Sequence, residues 1–343
     1  MKLGEIPQRI YNRYLLARYV KPFAKKNQNR IQSENNTISL FCQPRGGSTW
    51  LTQLLMEIPS TSIVDEPLWR GRFSPIDKMP EQKNRKIKAV ADMEFYHVQP
   101  ILENESWPEA EQMIQNTISG RAPVLGVYNQ FKLSRLLNFE TLIVKYNLAQ
   151  LLLHWYVKHF QSKNILLIRH PCGLVNSQKD FPGFININQF KNRKFPHFRN
   201  HEIFNQYESV FSKFTTLIEW QAFFWAVQIR HSLYHPDNNR KWLTVSYEKL
   251  VVDFPNEIAR IFKYLQREIP DSIHSLQFKP SLSTVEKSIK SIESGTQLDR
   301  WKKELTKDQI SRILNVANAM EIDIYSDAPE PDYEKMHKAH PRP

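Results

Sequence analysis

Five short apolar runs, separated by stretches of helical period, set the tightest limit on what this chain can become. They are Thr37–Cys42 (T-I-S-L-F-C), Ser62–Val64, Thr141–Lys145, Asn164–Arg169 and Trp242–Val245. Each is continuous rather than alternating, as strands covered on both faces are. Between them Leu51, Leu54, Leu55 and Ile58 recur on one helical face, as do Leu148, Leu151, Leu152 and Trp155, and later Ile258, Ile261, Phe262 and Leu265. Strands alternating with helices predict an α/β fold, a three-layer α/β/α arrangement around a central parallel sheet of about five strands. Asn147 is placed to cap the helix after the third strand, and Thr306 with Gln309 makes a capping box before the last helix.

Two segments break the rhythm, residues 70–140 and 178–215, both rich in Pro, Asn, Lys and aromatics. They are expected as helical insertions carrying a ligand-reading surface. Residues 1–34 have the pattern of a basic amphipathic helix and tether, residues 35–330 form the folded domain, and residues 331–343 are a tail. A chain of 343 residues, 41% hydrophobic, is enough for one sizeable core and near the limit for a single domain.

The net charge of +12 implies an anionic partner: nucleic acid, a membrane surface, a phosphorylated small molecule or an acidic polymer. Nucleic acid is disfavoured, because the basic residues are dispersed and no binding module is present. Cys42 and Cys172 lie in apolar or motif segments without metal-ligand spacing, which predicts buried free thiols and no metal site. No apolar run has signal-peptide or membrane-spanning length, so a soluble cytoplasmic protein is expected, with peripheral membrane contact open to the basic N-terminal helix.

The first strand runs straight into Q-P-R-G-G-S-T-W-L, a strand, a glycine turn and a helix start. Gly46 and Gly47 let the backbone bend so that successive N–H groups face one point, and Ser48 and Thr49 open a helix whose positive end faces it too. Arg45 adds a fixed charge that forks onto phosphate or sulfate oxygens. The Walker pattern, with its lysine after the glycines, is absent.

This loop resembles the 5′-phosphosulfate loop of sulfotransferases that use 3′-phosphoadenosine-5′-phosphosulfate (PAPS) and release adenosine 3′,5′-bisphosphate (PAP). Pro44, Arg45, Gly47, Ser48, Thr49 and Trp50 match it, and Gly46 departs where serine is usual. The resemblance implies a P-loop-like sulfotransferase fold, a role for Arg45 at the leaving phosphate, and a place for Trp50 near adenine. Further on, I-L-L-I-R-H-P-C-G-L-V-N-S is similar to the family's 3′-phosphate motif, with Arg169 closing the strand and Ser177 eight residues later. W-L-T-V-S-Y-E-K-L resembles the segment after the last strand; Tyr247 is kept on the nucleotide side, though for it and Glu248 scaffold is the favoured role. G-T-Q-L-D-R-W-K-K resembles the C-terminal segment that closes over the nucleotide, making Arg300, Trp301 and Lys302 candidates.

Sulfuryl transfer also needs a base for the acceptor proton. The cytosolic small-molecule branch of the family uses a histidine two residues after a lysine; here V-K-Y-N keeps Lys145 but has Asn147 at the histidine position. D-E-P-L-W resembles the F-E-P-L-W of carbohydrate sulfotransferases and makes Glu66 the base, with Asp65 in reserve and Lys145 near the sulfuryl oxygens or in a structural ion pair. The same match favours a hydroxyl acceptor on a glycan or glycolipid, with Trp69, Phe73, Phe181, Phe184 and Phe190 as candidate acceptor-side aromatics. A P-loop nucleotide kinase, lacking a loop lysine and an Asp-held magnesium site here, and a nucleotide-binding scaffold without catalysis are the alternatives.

Overall fold

The computed structural model describes residues 34–68, 101–121, 139–179, 205–281 and 297–338. All five apolar runs are strands: β1 (Thr37–Cys42), β2 (Thr61–Asp65), β3 (Thr141–Asn147), β4 (Lys163–Ile168) and β5 (Trp242–Ser246). They form one sheet in the order β2-β3-β1-β4-β5, with every neighbouring pair parallel. The helices are α1 (Ser48–Leu55), α2 (Pro108–Ile118), α3 (Leu153–His159), α4 (Pro171–Lys179), α5 (Glu208–Phe211), α6 (Leu217–Leu233), α7 (Tyr247–Val252), α8 (Phe254–Leu265), α9 (Arg300–Glu304), α10 (Lys307–Ala319) and α11 (Tyr333–His337).

Successive strand residues enter opposite cores, as the two-residue period of a strand requires. Phe41, Val144, Tyr146, Leu166 and Ile168 join residues of α2, α3, α4, α6 and α10 on one face. Leu40, Ile63, Ile143, Ile165, Leu167 and Val245 meet α1 and α8 on the other. The continuous apolar runs are thus explained, since both faces of the sheet are covered.

The helix signals hold at Thr306, whose hydroxyl accepts from Gln309 N–H in a full capping box. Asn147 is a correction. Its side chain caps no helix, because the chain leaves β3 through Leu148 at φ 61° and reaches α3 only after a 3₁₀ turn at Gln150–Leu152. The N–H of Leu148 bonds the Cys42 carbonyl at 2.9 Å, so pairing with β1 carries the chain past the point where a helix would begin.

Part of each predicted insertion belongs to the body. Ala110, Ile114 and Ile118 of α2 are buried in the core, and Thr37 Oγ1 donates to the Ile118 carbonyl at 2.8 Å. The stretch expected as a tail carries α11, whose Met336 is buried. The N-terminal segment 1–33 and the aromatics Trp69, Phe73, Phe181, Phe184 and Phe190 lie outside the described residues. Among the described residues no helix is long and apolar enough to cross a membrane.

Candidate active site

The order of the strands puts a topological switch between β1 and β4, whose following crossovers leave in opposite directions, and such switches open a crevice at the carboxyl ends of the strands. Here β1 turns sharply through Gln43–Gly46, with Gly46 N–H bonded to the Gln43 carbonyl at 2.9 Å. Pro44 takes the second turn position and Arg45, at φ 67°, the third, where a type II turn demands positive φ. A non-glycine there is strained by about 1–2 kcal/mol. A Cβ on Gly46 would stand 2.8 Å from the Gln43 carbonyl oxygen, so this turn does not accept the serine usual at that position without moving.

Gly47 follows at φ 92°, and a Cβ there would stand 2.3 Å from the Tyr247 ring. It precedes α1 without any side-chain cap, which leaves the first N–H groups of that helix for a ligand. On the neighbouring strand Arg169 follows β4 directly. Its Nη1 donates to the Arg45 carbonyl at 2.8 Å, and its guanidinium lies 4.4 Å from the centre of the Tyr247 ring. Two turns into α4, Ser177 Oγ accepts from Arg45 Nε at 3.2 Å.

The two phosphate pockets expected from the motifs therefore form one cleft. Arg45, Gly47, Ser48, Thr49, Trp50, Arg169, Ser177, Tyr247, Arg300 and Trp301 all line it. Gly46, Lys302, Glu66 and Lys145 do not; Lys302 is exposed, with Nζ 5.5 Å from the Trp301 ring. Burial, and then the charges of Arg169 and Arg300, hold the Arg45 guanidinium below its usual range. Arg300 is also tied to Glu304 at 3.1 Å. Three guanidiniums gathered in one cleft repel each other until an anion enters.

The aromatics at its edge are mainly core. Trp50 Nε1 donates to the Leu276 carbonyl at 3.1 Å, and Trp301 stacks on His170 at 4.7 Å. Burial pushes His170 down to about 4; its Nδ1 accepts from Cys172 N–H at 3.1 Å and its Nε2 faces the Ser326 carbonyl at 3.0 Å, so it serves as a neutral brace. Glu248 is a brace as well, accepting from His170 N–H at 2.8 Å and Ser246 Oγ at 2.7 Å, with its carboxyl raised by burial.

Gly173, Asn176, Gln277, Lys279, Ser281 and Gln297 also line the cleft and were not singled out from sequence. A Cβ at Gly173 would make ordinary contact with Arg169 Nε at 3.4 Å and Trp301 Cδ1 at 3.6 Å, so it sits directly beneath both. Asn176 lies on α4 beside Ser177 and Gln297 in the segment that leads to Arg300, both inside motifs that drew attention to other residues, and Gln277, Lys279 and Ser281 come from stretches without a motif.

A second group gathers at the ends of β1, β2 and β3. Lys145, almost fully buried, places Nζ 3.2 Å from Asp65 Oδ1 and 3.8 Å from Glu66 Oε1. Glu66 sits at φ 51° with its N–H on the Lys145 carbonyl at 2.8 Å, and Asn147 Nδ2 donates to its Oε1. Cys42 Sγ donates to Asn147 Oδ1 at 2.9 Å, with the Tyr146 carbonyl as a longer contact at 3.6 Å. Lys145 is in the ion pair that its sequence position allowed, with Asp65 as the nearer partner.

Of the described residues, Glu103, His235 and Asp237 come close enough to share a metal ion. His235 Nδ1 already accepts the Asp237 N–H at 3.1 Å, and Lys241 lies 3.3 Å from Asp237, so the trio is satisfied as an ion-pair network.

No family model and no curated protein matches the chain. Among solved structures it is similar to mouse sulfotransferase SULT7A1 complexed with PAP, at 14% identity and TM-score 0.41, over 84% of this chain and 85% of that one. It is also similar to a sulfotransferase domain from the curacin biosynthetic pathway, at 12% identity and TM-score 0.42, over 85% and 99%. A retinol dehydratase in complex with androsterone and the inactive cofactor PAP shares 14% identity at TM-score 0.37, over 88% and 86%.

Proposed function

We propose that this protein transfers a sulfuryl group from PAPS to an acceptor hydroxyl. The observation that carries the reading is the convergence of Arg45, Arg169, Arg300 and Ser177 on one cleft, at the switch point of a parallel sheet. Such a set suits a nucleotide with phosphate at both ends of the ribose better than a single phosphate chain, because cations arrive from two strand ends rather than one. Arg45 and the amides opening α1 would hold the 5′ end, and Arg169 with Ser177 the 3′-phosphate. The acceptor oxygen attacks sulfur, the bond from sulfur to the phosphate oxygen breaks, PAP departs, and the acceptor proton passes to Glu66. Arg45 stabilises charge growing on the leaving phosphate. The motif D-E-P-L-W at residues 65–69 and the net charge of +12 support a glycan or glycolipid hydroxyl as acceptor.

Titration calorimetry with PAP against AMP tests the donor assignment. PAP binds more tightly, and Arg169→Ala removes about 10- to 100-fold of that preference. Discrimination unchanged in this variant refutes the 3′-phosphate site. An acceptor screen with labelled PAPS then separates an enzyme from a nucleotide-binding scaffold, which would label nothing. Glu66→Gln should keep PAP affinity and lose turnover.

A further inference from the structure

We propose that Asn147 is a positioning residue, the middle link of a hydrogen-bonded chain that runs from the Cys42 thiol to the Glu66 carboxylate. The inference rests on the reading of Glu66 as base and adds how that base is held. Strand register builds the chain. Cys42 and Asn147 are direct partners in the β1–β3 ladder, and Asp65 and Lys145 are partners in the β2–β3 ladder one step before Glu66. Side chains paired in this way share a face, so three separate stretches of sequence deliver the groups to one place.

Every donor in the chain points the same way. The Cys42 thiol donates to Asn147 Oδ1 at 2.9 Å, and Asn147 Nδ2 donates to Glu66 Oε1. A run of aligned donors polarises each bond in turn and favours negative charge at its far end. Burial pushes the Cys42 thiol up to about 12, so it keeps its proton and remains a donor. A primary amide meets both demands at position 147, accepting from sulfur on one atom and donating to carboxylate on the other. Aspartate would set a second negative charge against Glu66, and leucine would leave the thiol only the Tyr146 carbonyl at 3.6 Å. The positive φ of Glu66, with its N–H fixed to the Lys145 carbonyl, leaves the carboxylate to be aimed by these side-chain partners.

The test reads Glu66 itself by NMR of ¹³C-carboxyl-labelled protein across pH, its resonance assigned by Glu66→Gln. The charged and titratable neighbours described around it are Lys145 and Asp65, with the Cys42 thiol protonated throughout. In Asn147→Leu the Glu66 titration should move up by about one pH unit, because a donor to the charged form is gone. Asn147→Asp, nearly isosteric, should move it in the same direction and further. Cys42→Ser keeps a donor and should leave it within about 0.3 of a unit, whereas Cys42→Ala moves it partway. PAP affinity by calorimetry should stay within about threefold in all four, since none touches the arginines. A Glu66 titration unmoved in both Asn147 variants overturns the proposal. Failure of the unsubstituted chain to bind PAP would instead count against the donor reading, and leave the Glu66 result standing.

Discussion

Gly47→Ala separates two physical reasons for a glycine that usually act together. The backbone at this position has φ 92°, and an added Cβ would stand 2.3 Å from Tyr247 Cδ2 and 2.8 Å from Cε2. Positive φ costs a residue with a Cβ about 1–2 kcal/mol. Forcing a methyl group into a packed aromatic contact costs about 1–3 kcal/mol more. The ring has little room to give, because Arg169 stacks on it at 4.4 Å and Trp50 meets it edge-on at 6.0 Å. The sum is a loss of about 2–5 kcal/mol. In a Tyr247→Ala background the clash is gone and the backbone cost remains, so Gly47→Ala should then cost only about 1–2 kcal/mol. Urea denaturation of the four proteins closes the double-mutant cycle, with an expected coupling of about 1–3 kcal/mol. Equal costs in both backgrounds would refute the packing argument, and with it the claim that Tyr247 fixes the loop.

Breaking the Lys145–Asp65 pair with Lys145→Met leaves a buried carboxylate uncompensated and should cost about 3–5 kcal/mol. Adding Asp65→Leu should recover most of this in denaturant unfolding; a stability-neutral single variant would refute the contribution of the buried pair. Burial holds His154 at about 3 and both His170 and His231 at about 4, against 6.5 in the unfolded chain. The unfolded state therefore binds more protons between these values, and stability should be full above pH 6.5 and fall as pH drops towards 4. At its steepest the loss approaches about 4 kcal/mol per pH unit for three protons; urea midpoints at pH 7, 6 and 5 check it, and a flat profile contradicts the burial. Thr216 caps α6 in a capping box with Glu219, so Thr216→Ala should lower thermal unfolding stability by about 1 kcal/mol.

The sheet was legible because a strand covered on both faces needs every residue apolar, and that demand leaves a continuous run in one stretch of sequence. The phosphate loop was legible for a related reason. Its turn, its glycines and its helix start are consecutive, so the geometry and the letters have the same order. Arg169 and Ser177 follow the same rule, since a strand end and two turns of helix keep them eight residues apart. Asn147 failed as a cap because local propensity was outweighed by ladder pairing, which extends through the Leu148 N–H. The meeting of the two motifs in one cleft was hidden as well, because it depends on Arg45 reaching Ser177 across 132 positions of chain.

The setting of Glu66 shows the limit in its sharpest form. Its neighbour Asn147 is 81 residues away, and Cys42 lies 105 residues from that asparagine. In a parallel sheet each strand returns through a crossover, so residues in register are always distant in sequence. No window on the chain contains them together. A motif can name the carboxylate, since its flanking residues are local, but the groups that set its charge and orientation arrive by register. The arginine-lined cleft is written along the chain, and the setting of Glu66 is written across it.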